Sequence, residues 1–147
     1  MKLLISLFFI SFLTATNNEW LTDLGKAKEK ATQDNKFILL NFSGSDWCVP
    51  CIRLHKEIFD SKEFETFAQK NLVLVNADFP RLRKNQLTKE KTKENEALAD
   101  QYDHEGKFPL TLLLDANGKV MKSWEGYSNL LPEKFVAEIN SIIHAVN

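Results

Sequence analysis

Two cysteines are the residues of this 147-residue chain best suited to chemistry: Cys48 and Cys51, in the segment GSDWCVPCIRL (44–54). A thiol pair at this spacing could form a structural disulfide, supply part of a metal site, or exchange electrons with other disulfides. As a staple, the pair would close a ring of only four residues. The chain-entropy estimate for so small a ring is about 1.9 kcal/mol, compared with about 3 kcal/mol for a ring of fifteen residues. A structural staple is therefore a poor explanation of the pair.

A metal site would need more ligands than the two thiols. His55 follows Cys51 by one helical turn, so Cys48, Cys51 and His55 could offer three donors to a carried metal ion. The other histidines, His104 and His144, do not occur in the paired spacing typical of structural zinc. The pattern for haem attachment needs a histidine directly after the second cysteine, and Ile52 stands there. The sequence thus predicts no resident metal and no bound cofactor.

A redox role explains where the cysteines lie. The thiolate is the reactive species, and the unpaired N–H groups and dipole at the first turn of a helix favour an anion. Cys48 is expected there as the partly exposed nucleophile, with Cys51 sheltered on the same face and ready to attack a mixed disulfide. Pro50 lacks an N–H, which a first turn tolerates, and its fixed φ keeps the pair within bonding distance. Trp47 would shield one side of the sulfurs, or else serve only as a core aromatic.

The flanking sequence predicts the strands that place the pair. The segments KFILLNF (36–42) and NLVLVNADF (71–79) are nearly continuous apolar runs, which is typical of central strands covered on both faces. The cysteines follow the first run directly and are predicted to open a helix that reaches about Phe59. The segment FPLTLLLDANGKVMKSW (108–124) predicts two strands around an Asn117-Gly118 turn.

The predicted helices lie between and after these strands. Asn17 or Asn18 is expected to cap a helix that begins near Glu19, and DSKE (60–63) offers a capping box for another. Pro132 is predicted to start the last helix, in which apolar residues recur at helical spacing up to Val146.

One long polar stretch interrupts this pattern. Residues 80–96 are predicted to form a solvated loop or an exposed helix, with a docking surface as the alternative, and ALADQY (97–102) a short helix. The resulting order, α-β-α-α-β-α-β-β-α, predicts an α/β domain over residues 17–147. Its central mixed β-sheet is expected to be flanked by helices on both faces.

The first sixteen residues, MKLLISLFFISFLTAT, predict a signal peptide. The apolar or hydroxylated run from Leu3 to Leu13 is shorter than the roughly 20 residues of a membrane span but fits a signal-peptide core. The small residues around Ala15 offer a cleavage region without fixing the cut. A periplasmic or secreted location follows, in a compartment that permits disulfides. The formal net charge of −1 gives no general attraction for nucleic acid.

These motifs resemble those of the thioredoxin superfamily. The similar segments are FILLNF, DWCVPC, LVLVNADF, KFPLTLLLDANGKV and the amphipathic last helix, which together cover about residues 19–146. The GSDWC lead-in is similar to that of secreted bacterial thioredoxin-like proteins and of the C-terminal domain of membrane-embedded disulfide reductases. The resemblance implies a thioredoxin-like fold.

The same resemblance implies roles for individual residues. Cys48 would be the attacking thiol and Cys51 the resolving one, while Pro109 would be the family's cis-proline, an ordinary trans proline being the alternative. The backbone around Phe108 would pair with an extended substrate. Asn41 stands where many members carry a buried aspartate that takes the proton of the resolving thiol, and an amide cannot act as that base.

We therefore predict an extracytoplasmic thiol–disulfide oxidoreductase, more a reductase or isomerase than an oxidase. It would be a monomer that acts on protein thiols and disulfides and is kept reduced by a membrane-bound partner. The alternatives are a non-catalytic binding module on the same fold and, less favoured, the metal carrier described above.

Overall fold

A computed structural model describes residues 18–146 of the chain, so the predicted signal peptide and Asn17 lie outside the described residues. The strands are β1 (Trp20–Leu21), β2 (Phe37–Ser43), β3 (Leu72–Asp78), β4 (Leu110–Leu114) and β5 (Val120–Glu125). The α-helices are α1 (Leu24–Asp34), α2 (Val49–Leu54), α3 (Lys62–Asn71), α4 (Lys89–Tyr102) and α5 (Pro132–Val146). A π-helical turn, His55–Phe59, prolongs α2, and a 3₁₀ turn covers Arg83–Asn85.

The five strands form one mixed sheet in the order β1-β3-β2-β4-β5. β1, β3 and β2 run parallel, whereas β4 and β5 are antiparallel to their neighbours. Because β2 and β3 are parallel and in register, the segments that follow Ser43 and Asp78 leave the sheet at the same end, where both strands finish. The predicted mixed sheet is confirmed, and the cysteine segment begins at this end.

Helices cover both faces of the sheet, as predicted. One apolar cluster joins Ile38, Leu40 and Phe42 of β2 to α1 and α4, while the other joins Leu39 to α2, α3 and α5. The alternation follows from the two-residue side-chain period of a strand. With helices on both sides, six of the seven β2 residues are buried, which explains the continuous apolar run in the sequence.

The start of α1 differs from the sequence prediction. Asp23, and not Asn17 or Asn18, caps the helix, with its Oδ1 accepting a hydrogen bond from the N–H of Lys26 at 3.1 Å. Trp20 and Leu21 pair with β3 instead, as the parallel strand β1. The helix starts later because these two residues are extended to reach the sheet.

The polar stretch 80–96 forms a loop followed by the start of a helix, so it contains both structures that the sequence predicted as alternatives. α4 begins at Lys89, where the side chain of Thr88 accepts from the N–H of Lys91 at 3.2 Å. The predicted short helix 97–102 is therefore only the last part of a longer one. Asn95 is the one fully buried residue of α4, and it donates to the carbonyl of Asp78 at 2.9 Å.

The hairpin and the last helix are confirmed. The turn between β4 and β5 spans five residues, closed by the N–H of Asp115 bonded to the carbonyl of Lys119 at 3.0 Å. Gly118 adopts a φ of 89° in this turn, a conformation that glycine adopts without steric cost. α5 begins at Pro132 and buries Phe135 and Ile139. No helix among residues 18–146 has both the length and the apolar character needed to cross a bilayer.

Candidate active site

The two cysteines lie where the chain passes from β2 into α2. Cys48 is the N-cap residue of α2 and is joined to Cys51 by a disulfide with an S–S distance of 2.09 Å and a Cα–Cα distance of 5.2 Å. The N–H of Cys51 also donates to Sγ of Cys48 at 3.3 Å. The predicted position at the first turn of a helix is therefore the observed one, and both sulfurs lie on one face.

The expected difference in exposure between the two cysteines is wrong for this oxidised state. Cys48 is 4% exposed and Cys51 is 3% exposed. The sulfur of Cys48 is bonded to that of Cys51 and accepts a hydrogen bond from the Cys51 N–H.

The surface beside the pair is apolar. Pro50 occupies the first turn of α2, as predicted, and is exposed. Val49 is 65% exposed and Ile52 is 45% exposed, whereas most apolar side chains of the described part of the chain are in the core. An incoming polypeptide would therefore meet aliphatic side chains next to the sulfurs.

Trp47 is half-buried between two segments that border the site. Its indole N–H donates to the carbonyl of Phe79 at 2.7 Å, and its ring lies 5.6 Å from that of Phe108 in an edge-on contact. Gly44 lies against the same indole, and a Cβ at this position would collide with the ring. The tryptophan thus connects the cysteine segment with the loop that precedes β4.

The peptide bond between Phe108 and Pro109 is cis, as the family resemblance implied, and the alternative of a trans proline is wrong. Pro109 is buried, and its carbonyl accepts from the N–H of Gly126 at 2.8 Å. A role for Phe108 and Pro109 in binding substrate stays a prediction.

Asn41 is the centre of a polar row across three strands. It is 4% exposed, donates from Nδ2 to Oδ1 of Asn76 at 3.0 Å and accepts at Oδ1 from the hydroxyl of Thr111 at 3.0 Å. The three residues are direct neighbours in the β3-β2-β4 registers. A hydrogen-bonded neutral row therefore stands at the position where the family often has a carboxylate.

A cleft of about 510 Å³ reaches the site from the side of α2. Cys51 lines it together with Ser43, Ser45 and Asn76. Ser45 also contacts Asp78, to which its hydroxyl donates at 2.6 Å and its N–H at 2.9 Å. The cleft thus brings Cys51 and a hydroxyl bonded to a carboxylate to the same cavity.

His55 lines the same cleft as Cys51. Its Nε2 is 3.4 Å from Oδ1 of Asp60, and its ring packs near Trp20 and Phe59. Within residues 18–146, no group of three or more histidine, cysteine, aspartate or glutamate side chains has the arrangement of a metal site.

Sequence reasoning missed the contacts of the loop that follows β3. Arg81 lies over the ring of Trp47, with its Cζ 3.5 Å from the ring centroid. The carboxylate of Asp46 accepts from the N–H groups of Arg81 and Leu82 at 2.9 and 3.0 Å and from Nδ2 of Asn85 at 2.9 Å. The hydrogen bond from the backbone of Arg81 is the main cause that lowers the pKa of Asp46. No local spacing of residues in the sequence predicts these contacts, because they join segments about 35 residues apart.

Known proteins share this arrangement and parts of this sequence. The disulfide bond reductase DsbH of Chlamydia pneumoniae is 40% identical over 107 residues, which are 73% of this chain and 62% of DsbH. The thioredoxin-related protein DsbJ of the same organism is 33% identical over 82 residues, 52% of this chain and 24% of DsbJ. The chain therefore spans less than two thirds of either curated relative.

A solved structure and a family profile agree with these similarities. The structure of a DsbH oxidoreductase superimposes with a TM-score of 0.78 at 33% identity, covering 95% of this chain and 94% of the other. The profile of a thioredoxin-like domain matches residues 24–143. With its cysteine pair at the start of α2 and its mixed sheet, the chain belongs to the thioredoxin-like family.

Proposed function

We propose that this protein is an extracytoplasmic thiol–disulfide oxidoreductase that reduces or isomerises disulfides in other proteins. The observation that carries the proposal is the Cys48–Cys51 disulfide at the N-terminus of α2, with the Cys51 N–H directed at Sγ of Cys48. The similarity to a protein named a disulfide bond reductase supports the reducing direction.

The first step uses Cys48. In the reduced protein, its thiolate attacks one sulfur of a substrate disulfide, forms a mixed disulfide and releases the other substrate sulfur as a thiolate, which takes up a proton. A backbone N–H placed as a donor to Sγ stabilises the anion more than the neutral thiol, because hydrogen bonds to charged acceptors are stronger. The apolar surface formed by Val49 and Ile52 would contact the substrate chain.

The second step uses Cys51. Its thiolate attacks Sγ of Cys48 in the mixed disulfide, the bond to the substrate breaks, and the substrate leaves with both sulfurs reduced. The two electrons come from the dithiol, which ends as the Cys48–Cys51 disulfide. Asn41 cannot take the proton of Cys51, so we propose that this proton leaves through the cleft, where Ser45 is bonded to Asp78.

The compartment and partners belong to the same proposal. A signal peptide over residues 1–16 would export the domain 17–147 as a monomer to a periplasm or to the outside of the cell. Each cycle consumes the dithiol, so another thiol protein must reduce the Cys48–Cys51 bond again. We propose a membrane-bound partner for this step, since the electrons must come from the cytosol.

Reduction of insulin disulfides by the purified, prereduced protein, with free dithiol present to reduce Cys48 and Cys51 again after each cycle, tests the function. We expect turnover well above that of an equal concentration of free dithiol, loss of turnover in Cys48→Ser, and a trapped mixed disulfide in Cys51→Ser. A matched serine replacement away from the sulfurs, Ala137→Ser on the exposed face of α5, serves as control. Turnover no better than free dithiol would favour the non-catalytic binding module.

The redox potential tests the direction. We expect a value nearer to the approximately −270 mV of thioredoxin than to the approximately −120 mV of the oxidant DsbA. A value near the second would leave the enzyme class intact and reverse the direction.

A further inference from the structure

The loop after β3, residues 79–86, is fixed to the active-site segment. The carboxylate of Asp46, two residues before Cys48, accepts three hydrogen bonds from this loop, two of them from the backbone N–H groups of Arg81 and Leu82. The 3₁₀ turn at Arg83–Asn85 adds a further internal bond from the N–H of Asn85 to the carbonyl of Leu82 at 2.9 Å. The loop therefore holds a defined position beside the cysteines.

One cation of the loop contacts the active site directly. The guanidinium of Arg81 lies over one face of Trp47, 3.5 Å from the ring centroid, and the ring also contacts Phe108, Gly44 and the carbonyl of Phe79. Stacking leaves the edges of the guanidinium, with their N–H donors, available to a carboxylate. A positive charge therefore lies against the residue that directly precedes Cys48.

Two further cations extend this surface. Arg83 and Lys84 are exposed, and within residues 18–146 neither they nor Arg81 form an ion pair with a carboxylate. No acidic residue occurs between Asp78 and Glu90. Even after the Asp46 carboxylate beneath the loop is counted, the loop keeps two excess positive charges, in a chain whose formal net charge is −1.

Apolar side chains are exposed both in this loop and at the start of α2. Leu82 is 47% exposed in the loop, and Val49 and Ile52 are 65% and 45% exposed on α2. A nucleic acid would need a larger positive field than three cations on a neutral chain provide. A polypeptide with both aliphatic and acidic side chains fits this combination better, because it satisfies the cations and covers the aliphatic side chains together.

From this we propose that the loop Arg81–Lys84 selects substrates in which acidic residues flank the disulfide cysteine. This inference rests on the proposed function and names its substrate class. Exposed ion pairs are individually weak, but three cations on a loop that is bonded to Asp46 and stacked on Trp47 can act together on one short segment and steer its approach. The selection therefore acts on the rate of the first exchange step.

A pair of peptides tests the inference. Both contain the same intrachain disulfide ring, and they differ only in their flanks, which are aspartate and glutamate in one and lysine in the other. The rate constant for reduction by the prereduced protein is measured for each. We expect the wild-type protein to prefer the acidic peptide, and the double variant Arg83→Gln/Lys84→Gln to lower this preference about three- to tenfold.

A matched control separates local from global charge. Lys70→Gln/Lys119→Gln changes the net charge equally but lies at the opposite end of the sheet from Cys48, at the end of α3 and in the turn between β4 and β5. It should keep the wild-type preference. In 1 M salt, where the screening length is about 3 Å, the preference of the wild-type protein should also shrink.

The outcomes are distinguishable. Equal rates on both peptides in the wild-type protein, or a preference that survives Arg83→Gln/Lys84→Gln, would overturn the inference and leave the proposed function standing. Failure to reduce either peptide, together with failure on insulin, would remove the proposed function itself. Binding of vesicles containing phosphatidylglycerol that is lost in the double variant would assign the surface to lipid and also overturn the inference.

Discussion

Replacing Asn41 by aspartate would test the polar row that Asn41 forms with Asn76 and Thr111. In acid the new side chain is neutral: its hydroxyl can donate to Asn76 and its carbonyl can accept from Thr111, as the amide does now. The variant Asn41→Asp should then be about as stable as the wild-type protein. Once ionised, the carboxylate loses the donor to Asn76 and carries a charge at a site that is 4% exposed.

The size of the effect follows from this burial. Full burial raises the pKa of a carboxyl by up to roughly 3–5 pH units, and the hydroxyl of Thr111 together with a reoriented Asn76 amide offsets part of it. We take a net rise of about 2–3 pH units, which at about 1.36 kcal/mol per unit gives a loss of roughly 3–4 kcal/mol. Because the pKa is raised in the folded state, the loss begins above the unfolded value of about 3.9 and is complete above the folded value.

Urea unfolding of the oxidised protein at pH 4 and pH 9 measures this loss. Asn140→Asp, on the exposed face of α5, makes the same chemical change without burial and should show almost no dependence on pH. If Asn41→Asp lost the same stability at both values of pH, the cause would be packing and not charge. If it lost none at pH 9, the row would be open to water and our account of it would be refuted.

Three further substitutions probe the frame of the site. Ser61→Ala should cost about 1 kcal/mol in urea unfolding without slowing disulfide exchange, because it removes the cap that accepts the N–H of Phe64 at 3.2 Å. Ile139→Ala, at a fully buried position of α5, should cost about 2–5 kcal/mol in the same assay. Gly44→Val should displace the indole of Trp47, seen as a changed near-ultraviolet circular dichroism spectrum and slower insulin reduction, at a cost of about 1–3 kcal/mol. An unchanged spectrum in this last variant would show that the ring has room to move.

Much of the fold could be predicted because its signals are local. The apolar runs of β2 and β3, the Asn117-Gly118 turn and the periodic residues of α5 each reflect a backbone geometry that a short segment determines by itself. The start of α1 could not be predicted in this way. Trp20 and Leu21 are extended because they pair with Leu74 and Val75, more than fifty residues further along the chain.

In the candidate site, too, local motifs could be predicted and contacts between distant segments could not. The cysteines, Pro50 and the cis-proline belong to short motifs, and the structure places the cysteines and Pro50 in the first turn of α2 as expected. The burial of Cys48 depends on the direction of one side chain in the oxidised state. The stacking of Arg81 on Trp47 depends on how two distant loops meet, which no spacing encodes.

The two edge strands of the sheet determine how readily another polypeptide chain could pair with it. An exposed sheet edge can recruit a strand from another chain, and proteins avoid this with short strands, charged side chains and irregular pairing. β1 offers only two residues, while β5 exposes Lys122 and Glu125 and its pairing with β4 shifts register between Leu113 and Leu114. If the protein exchanges disulfides with unfolded chains, as we propose, these features oppose strand pairing with those chains.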